Sequence, residues 1–208
     1  MTSEHILCRM KASDNHCPMP ALQVVVTEHT AGPGCTVRAD EILDGKRRLI
    51  FKTEGYLGRS GVTDPLQKSE GDGHTPAGRY VLGLCFGLCP PPAGMQMPYR
   101  KITEEAYWDC DPCSASYNRW VSSGALLTAE TRRRSEHLAA FPGTYDYCIE
   151  VCYNTDPVRP GKGSAIFLHC TAEGGRSTAG CIAVAKRDMR QLLICMRPKS
   201  EILILPKN

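Results

Sequence analysis

Apolar and polar positions alternate along Cys35–Leu43, where Val37 and Ala39 sit between charged or hydroxylated neighbours. That period of two is the pattern of a strand with one buried face. Leu22–Val26 supplies an earlier strand, and Gly32-Pro33-Gly34 separates the two. Asp44-Gly45 is a strong two-residue hairpin signal, with Arg48–Phe51 as the returning strand. Glycine-rich stretches follow at 55–61 and 71–78, then a short strand at Tyr80–Leu82 and a proline-rich loop over 89–98.

Helical periodicity is confined to two places. Thr128–Phe141 has few breakers, stops at Pro142-Gly143, and carries Arg132, Arg133 and Arg134, a basic run that reads as a solvated helix face. From Lys186 onward, Met189, Leu192, Leu193 and Met196 form one apolar stripe that ends before Pro198, so this helix is expected to cover the core. Between them, Tyr145–Asn154 and Ser164–Leu168 read as strands, and Ile202–Leu205 as a last one. The sum is a β-dominated α+β domain over residues 22–208, with a mixed β core and few helices. A poorly structured segment, 1–21, is expected to precede it.

Composition narrows the function classes. With 208 residues, 42% hydrophobic and 23% charged, the chain has the make-up of a globular domain rather than a disordered or fibrous one. A net charge of +3 gives no reason to expect a nucleic-acid partner. No apolar stretch reaches the roughly 18 residues of a transmembrane segment, and the opening MTSEHILCRMKASDNHCPMP lacks the apolar region of a signal peptide. A soluble, cytoplasmic setting follows from that reading. The unusual feature is 12 cysteines. Without an export signal they are expected to be reduced, mostly as small buried apolar residues. Only Cys110-Asp-Pro-Cys113 has the C-x₂-C spacing of a zinc knuckle, and no second pair of that spacing follows. Cys148 and Cys152, four apart on a strand, would share a face about 13 Å apart, too far for one ion. Neither a metal nor a cofactor is expected.

Chemistry concentrates near one histidine. His169 ends the apolar run Ala165–Leu168, a place where a histidine is either a satisfied core residue or a base. The loop CTAEGGRSTAG over 170–180 follows, and Cys181-Ile-Ala-Val184 resumes as a strand. Read as a hairpin-like unit, this returns Cys181 to the side of His169, within reach of the imidazole that a nucleophilic thiol needs. Gly180 would allow a sharp turn and present the N–H groups of Gly180 and Cys181 as oxyanion donors.

His169, the glycine-rich loop and Ser177-Thr-Ala-Gly-Cys181 together resemble the signature of the YkuD-type L,D-transpeptidase catalytic domain, in its short, single-domain branch. Gly71-Asp-Gly-His-Thr-Pro-Ala-Gly78 is similar to that family's GDG-x-TPAG loop, and Gly58-Arg-Ser-Gly-Val62 to its G-R-x-G-V. Trp108, Asp109, Asp111, Ser114, Tyr117 and Asn118 fit its W-x-D-x-x-S-x-x-Y-N stretch, and Gly161–His169 its histidine strand. The resemblance implies Cys181 as nucleophile and His169 as base. The substrate would be a peptidoglycan stem tetrapeptide or muropeptide, whose terminal D-alanine leaves as a thioester forms. Resolution by an amine gives a 3→3 cross-link; resolution by water makes the protein an L,D-carboxypeptidase. The third alternative is a non-enzymatic cysteine-rich binding or metal module.

The chain departs from the family pattern at four places: Ala179 replaces the second histidine of the signature, Ala183 a frequent arginine, Cys170 a frequent glycine, and His74 a more basic residue. Arg176 then either binds a stem carboxylate or is a solvated loop residue. Ser177, Thr178, His74 and Tyr117 are the other substrate-binding candidates, while Asp72, Thr75, Tyr117 and Asn118 read first as turn or packing residues. A family that works on the cell envelope sits uneasily with a chain that shows no signal peptide and carries eleven further thiols.

Overall fold

Asp44 and Gly45 both adopt positive φ, 51° and 72°, the left-handed pair that a tight hairpin between twisted strands requires. They join β2 (Gly34–Leu43) to β3 (Lys46–Tyr56), and β1 (Ala21–Glu28) pairs antiparallel along the other edge of β2. A register shift between Ala39 and Asp40 turns the fully buried Asp40 toward Arg38 and Arg47, which neutralise it at 2.9 and 3.3 Å. The computed structural model describes residues 21–207, so the expectation for the N-terminal segment lies outside the described residues, except for Ala21, which opens β1.

The remaining strands are β4 (Val62–Thr63), β5 (Thr75–Pro76), β6 (Gly78–Gly87), β7 (Tyr99–Lys101), β8 (Tyr107–Asp109) and β9 (Arg119–Val121), then β10 (Glu136–His137), β11 (Cys148–Val151), β12 (Phe167–Cys170), β13 (Ile182–Val184) and β14 (Glu201–Leu205). The helices are α1 (Ala129–Arg134) and α2 (Lys186–Cys195). In the main sheet the order is β11-β12-β13-β3-β2-β1-β14-β6-β7, and a further pairing of β11 with β6 closes it into a barrel-like ring. Closure gives each ring strand a partner on both sides, although β3 meets β13 only at Gly55 and Tyr56. Parallel pairs (β1 with β14, β12 with β13) mingle with antiparallel ones, so the sheet is mixed, as expected.

One core fills the ring and meets α2, whose Met189, Leu192, Leu193 and the following Met196 are all fully buried. The apolar stripe does what its period predicts. A second core gathers Phe86, Trp108, Leu138, Tyr145 and Phe167 outside the ring, under the small β10-β8-β9 sheet. Between the two cores, β12 is buried on both faces: Leu168 and Cys170 join the first, Phe167 the second.

Two expectations are corrected. The helix read over Thr128–Phe141 lasts six residues, because Ala129–Arg134 has no apolar stripe to bury. Glu136 and His137 instead pair with Trp108 and Tyr107 of β8, and this delivers Leu138 to the second core. The Tyr145–Asn154 strand also stops short, at Val151. A bulge between Ile149 and Val151 breaks the alternation, so buried Cys148 and half-buried Cys152 do not share a strand face. The N-cap of α1 is Thr128, whose Oγ1 accepts the Thr131 N–H at 3.1 Å. Thr128→Ala is expected to destabilise the fold by about 1 kcal/mol. In thermal unfolding the midpoint should drop by about 2–4 °C.

Candidate active site

Parallel pairing, not a hairpin, brings the two key residues together. His169 of β12 is in register with Ala183 of β13, and Leu168 with Ile182. A parallel return needs a crossover of about a dozen residues, and 171–181 provides it. Cys181, one residue before β13, therefore lies beside the start of β12 rather than its end. Two positions before Ala183, it falls on the face of the sheet that carries His169. Both side chains line one cavity of about 350 Å³.

His169 is 6% exposed, and its Nδ1 lies 2.8 Å from the carbonyl of Cys170. A carbonyl only accepts, so the neutral ring carries its proton on Nδ1 and leaves a lone pair on Nε2. Burial pushes the imidazole down from 6.5 to about 4, against the pull of that carbonyl. At neutral pH the ring is uncharged, with Nε2 able to accept a proton. Cys181, 8% exposed, donates its Sγ–H to the Ala165 carbonyl at 3.1 Å and accepts the Phe167 N–H at 3.3 Å. Burial, and then the charge of Glu136, push the thiol up, while the Phe167 N–H favours thiolate. The resting pair is thus thiol and neutral imidazole, not an ion pair.

The carbonyl that holds the thiol is itself held. Ala165 has φ +52°, a rare conformation for a residue with a side chain. Its N–H donates to Asn118 Oδ1 at 3.1 Å, the atom that also takes the Trp108 indole N–H at 3.0 Å. Asn118 thus acts on packing and backbone, without entering the cavity wall.

A second clamp comes from the glycine-rich segments. Thr178 N–H donates to the Leu57 carbonyl and Arg59 N–H to the Thr178 carbonyl, each at 2.9 Å. Gly58 N–H donates to Thr75 Oγ1, also at 2.9 Å. Thr178 Oγ1 donates to the Cys181 carbonyl at 2.7 Å and accepts the Gly180 N–H at 3.1 Å. Of the two backbone donors expected to serve an oxyanion, that of Gly180 is engaged with Thr178 here.

A family model, the YkuD L,D-transpeptidase catalytic domain, matches residues 43–204. The chain belongs to the YkuD family. The match begins at the end of β2, although β1 and most of β2 are integral to the closed sheet. A search of the curated proteins finds no match.

The other candidates of this YkuD domain are dispersed. Ser177 and Thr178 line the cavity with Cys181. Arg176 is exposed in the same loop but outside the cavity wall. His74 also stands outside it, its ring 3.7 Å from the Asp72 carboxylate. Tyr117 is 2% exposed and works behind the cavity, donating to Glu70 and accepting the Gly163 N–H at 3.1 Å. Asp72 accepts from Lys68 Nζ, Ser69 N–H and His74 N–H. Although its partial burial works upward, these donors hold its carboxyl below the ordinary range.

Three further wall residues carry no signal in sequence pattern, Glu70, Glu136 and Tyr145, and Cys110 joins them with no metal-binding partner set among the described residues. The Tyr145 ring packs edge-on against His169, centroids 5.5 Å apart at 77°, and its hydroxyl donates to Glu136 Oε1. Only the tertiary fold connects these segments. Among the described residues no cluster of histidine, cysteine or acidic side chains could hold a metal ion, and no helix is long and apolar enough to cross a membrane.

Proposed function

We propose that this YkuD domain is a cysteine-dependent acyl transferase acting on peptidoglycan stem tetrapeptides. The observation that carries the reading is the placement of Cys181 and His169 in one cavity wall, with Nδ1 committed to the Cys170 carbonyl and Nε2 left as the base. On substrate entry the Cys181 Sγ–H leaves the Ala165 carbonyl and gives its proton to Nε2 as sulfur attacks the carbonyl of the L-configured centre. The N–H of Cys181, and that of Gly180 once freed from Thr178, would stabilise the oxyanion. Nε2–H then protonates the departing D-alanine amine, leaving a thioester on Cys181. An amine of a second stem resolves it to a 3→3 cross-link, or water resolves it to a tripeptide. A role for Ser177, Thr178 or Arg176 at the stem carboxylate rests on their position in or near the loop before Cys181.

A carbapenem, whose strained ring carbonyl stands in for the scissile one, should acylate the protein once. Peptide mapping should find the adduct on Cys181. An adduct on another of the cysteines, or none while tetrapeptide muropeptides are still consumed, would refute the assignment. With those muropeptides, cross-linked dimers identify a transferase and tripeptide alone identifies a carboxypeptidase.

A further inference from the structure

We propose that Glu136 receives the acceptor amine, binding it as an ammonium and taking its proton, so that the thioester passes to an amine in preference to water. This deepens the acyl-transfer reading and rests on it. Glu136 is fixed by β10, which pairs it with Trp108 of β8, and its side chain lines the cavity that holds Cys181 and His169. Its Oε1 accepts the Tyr145 hydroxyl, and the same tyrosine ring packs against His169. Carboxylate and base are therefore held against one side chain. Among the described residues Oε2 takes no hydrogen bond, and no Lys, Arg or His forms an ion pair with either oxygen.

Lys68 is already engaged, and Glu70, which also lacks an ion pair among the described residues, is not among the charges with the largest effects on the Cys181 thiol. Lys68 Nζ is tied to Asp72 at 2.7 Å and to the Ser69 carbonyl at 2.9 Å, and Glu70 Oε2 takes hydroxyls from Ser164 and Tyr117. Glu136 is also the charged group with the largest effect on the Cys181 thiol. An unpaired carboxylate in a concave apolar-walled site attracts a cation, and ammonium is the form in which an amine arrives at neutral pH. Burial holds the Glu136 carboxyl above its usual range, which makes it a better proton acceptor than a surface carboxylate.

The Glu136 carboxylate takes one proton from the ammonium, and the freed nitrogen attacks the thioester carbon. The new C–N bond forms, the C–S bond breaks, and the second proton lost by nitrogen returns through His169 to the Cys181 sulfur. Glu136 releases its proton to solvent after the product leaves. Water needs no charge neutralisation to enter, so hydrolysis should depend far less on this residue.

The test is the ratio of cross-linked dimer to tripeptide formed from tetrapeptide muropeptides by wild type and Glu136→Gln. Both products come from one thioester, so any change in the acylation rate cancels. Glutamine keeps an oxygen for Tyr145 but carries no charge and takes no proton. The ratio should fall by about tenfold or more, the scale of a lost charge-assisted hydrogen bond. If the amide variant does not fold, Glu136→Asp, which withdraws the carboxylate by one methylene, is read in the same way. An unchanged ratio overturns the inference, as does a wild type that forms the carbapenem adduct yet yields only tripeptide. Absence of any adduct on wild-type Cys181 is a separate result and counts against the acyl-transfer reading itself.

Discussion

Replacing His169 with alanine should slow carbapenem acylation of Cys181 by about 10²–10⁴-fold, the range for removal of a positioned general base. The resting thiol is pushed up by burial and by the charge of Glu136, so almost no thiolate exists at neutral pH without the imidazole. The pH profile gives the same residue a second signature. His169 must be neutral to act, and it is held down at about 4 from an ordinary 6.5. The acid limb of the wild-type acylation rate should therefore lie near pH 4, not near 6.5. Stability should follow the same two values. Between them the unfolded chain takes up a proton on this ring and the folded chain does not. The unfolded state binds more protons, so stability rises with pH across that window and is lost as pH falls through it. The full effect below pH 4 is on the order of 3 kcal/mol. Urea unfolding at pH 7 and pH 5 should show wild type losing more stability than His169→Ala. An acid limb near 6.5, or equal losses in the two proteins, would mean that the ring is not buried neutral.

How much of this site is legible before folding depends on how local the signal is. The α2 stripe and the Asp44-Gly45 turn are set by residues within one or two turns of one another, and the fold keeps both. The pairing of His169 with Cys181 is legible as well, since both sit in one short segment with a family signature. Its geometry is not. A glycine-rich loop after a strand reads as a hairpin, whereas 171–181 is long enough to cross over and lay β13 parallel to β12. Helix α1 ends early from the opposite cause: Thr128–Phe141 has few breakers, but beyond Arg134 propensity without a buried face loses to pairing of Glu136 and His137 with β8. Glu136 and Tyr145 reach the cavity only through that pairing and the second core. No periodicity marks them, because neither lies on a repeating face. Arg176 stands out by chemistry and loop position, but it forms no part of the cavity wall.

Gly58→Ala should be the most damaging single methyl addition near the site. A Cβ on Gly58 would lie 2.2 Å from the Gly73 carbonyl oxygen and 3.0 Å from the carbonyl carbons of Gly73 and His74. All three are backbone atoms, so no side chain can rotate away, and overpacking of this kind destabilises by about 1–3 kcal/mol. The two segments cannot simply move apart. Gly58 N–H holds Thr75 Oγ1, Ser60 N–H holds the Gly73 carbonyl, and Leu57 and Arg59 flank Thr178 through two hydrogen bonds. Thr178 in turn fixes the Cys181 carbonyl. Relief of the clash should therefore propagate along one chain of contacts, from residue 58 through 178 to Cys181. The expected result is a fall in unfolding free energy of about 3 kcal/mol, together with slower acylation of Cys181 at a temperature where the variant is still folded. His169 should keep its acid limb near pH 4 in that variant, because the burial that lowers it, in β12, and its Nδ1 partner, Cys170, both lie outside the clamp. Separation of the two readouts ties the G-R-x-G-V and GDG-x-TPAG segments to the position of the thiol rather than to the base. A variant that loses stability but acylates at the wild-type rate would break that link.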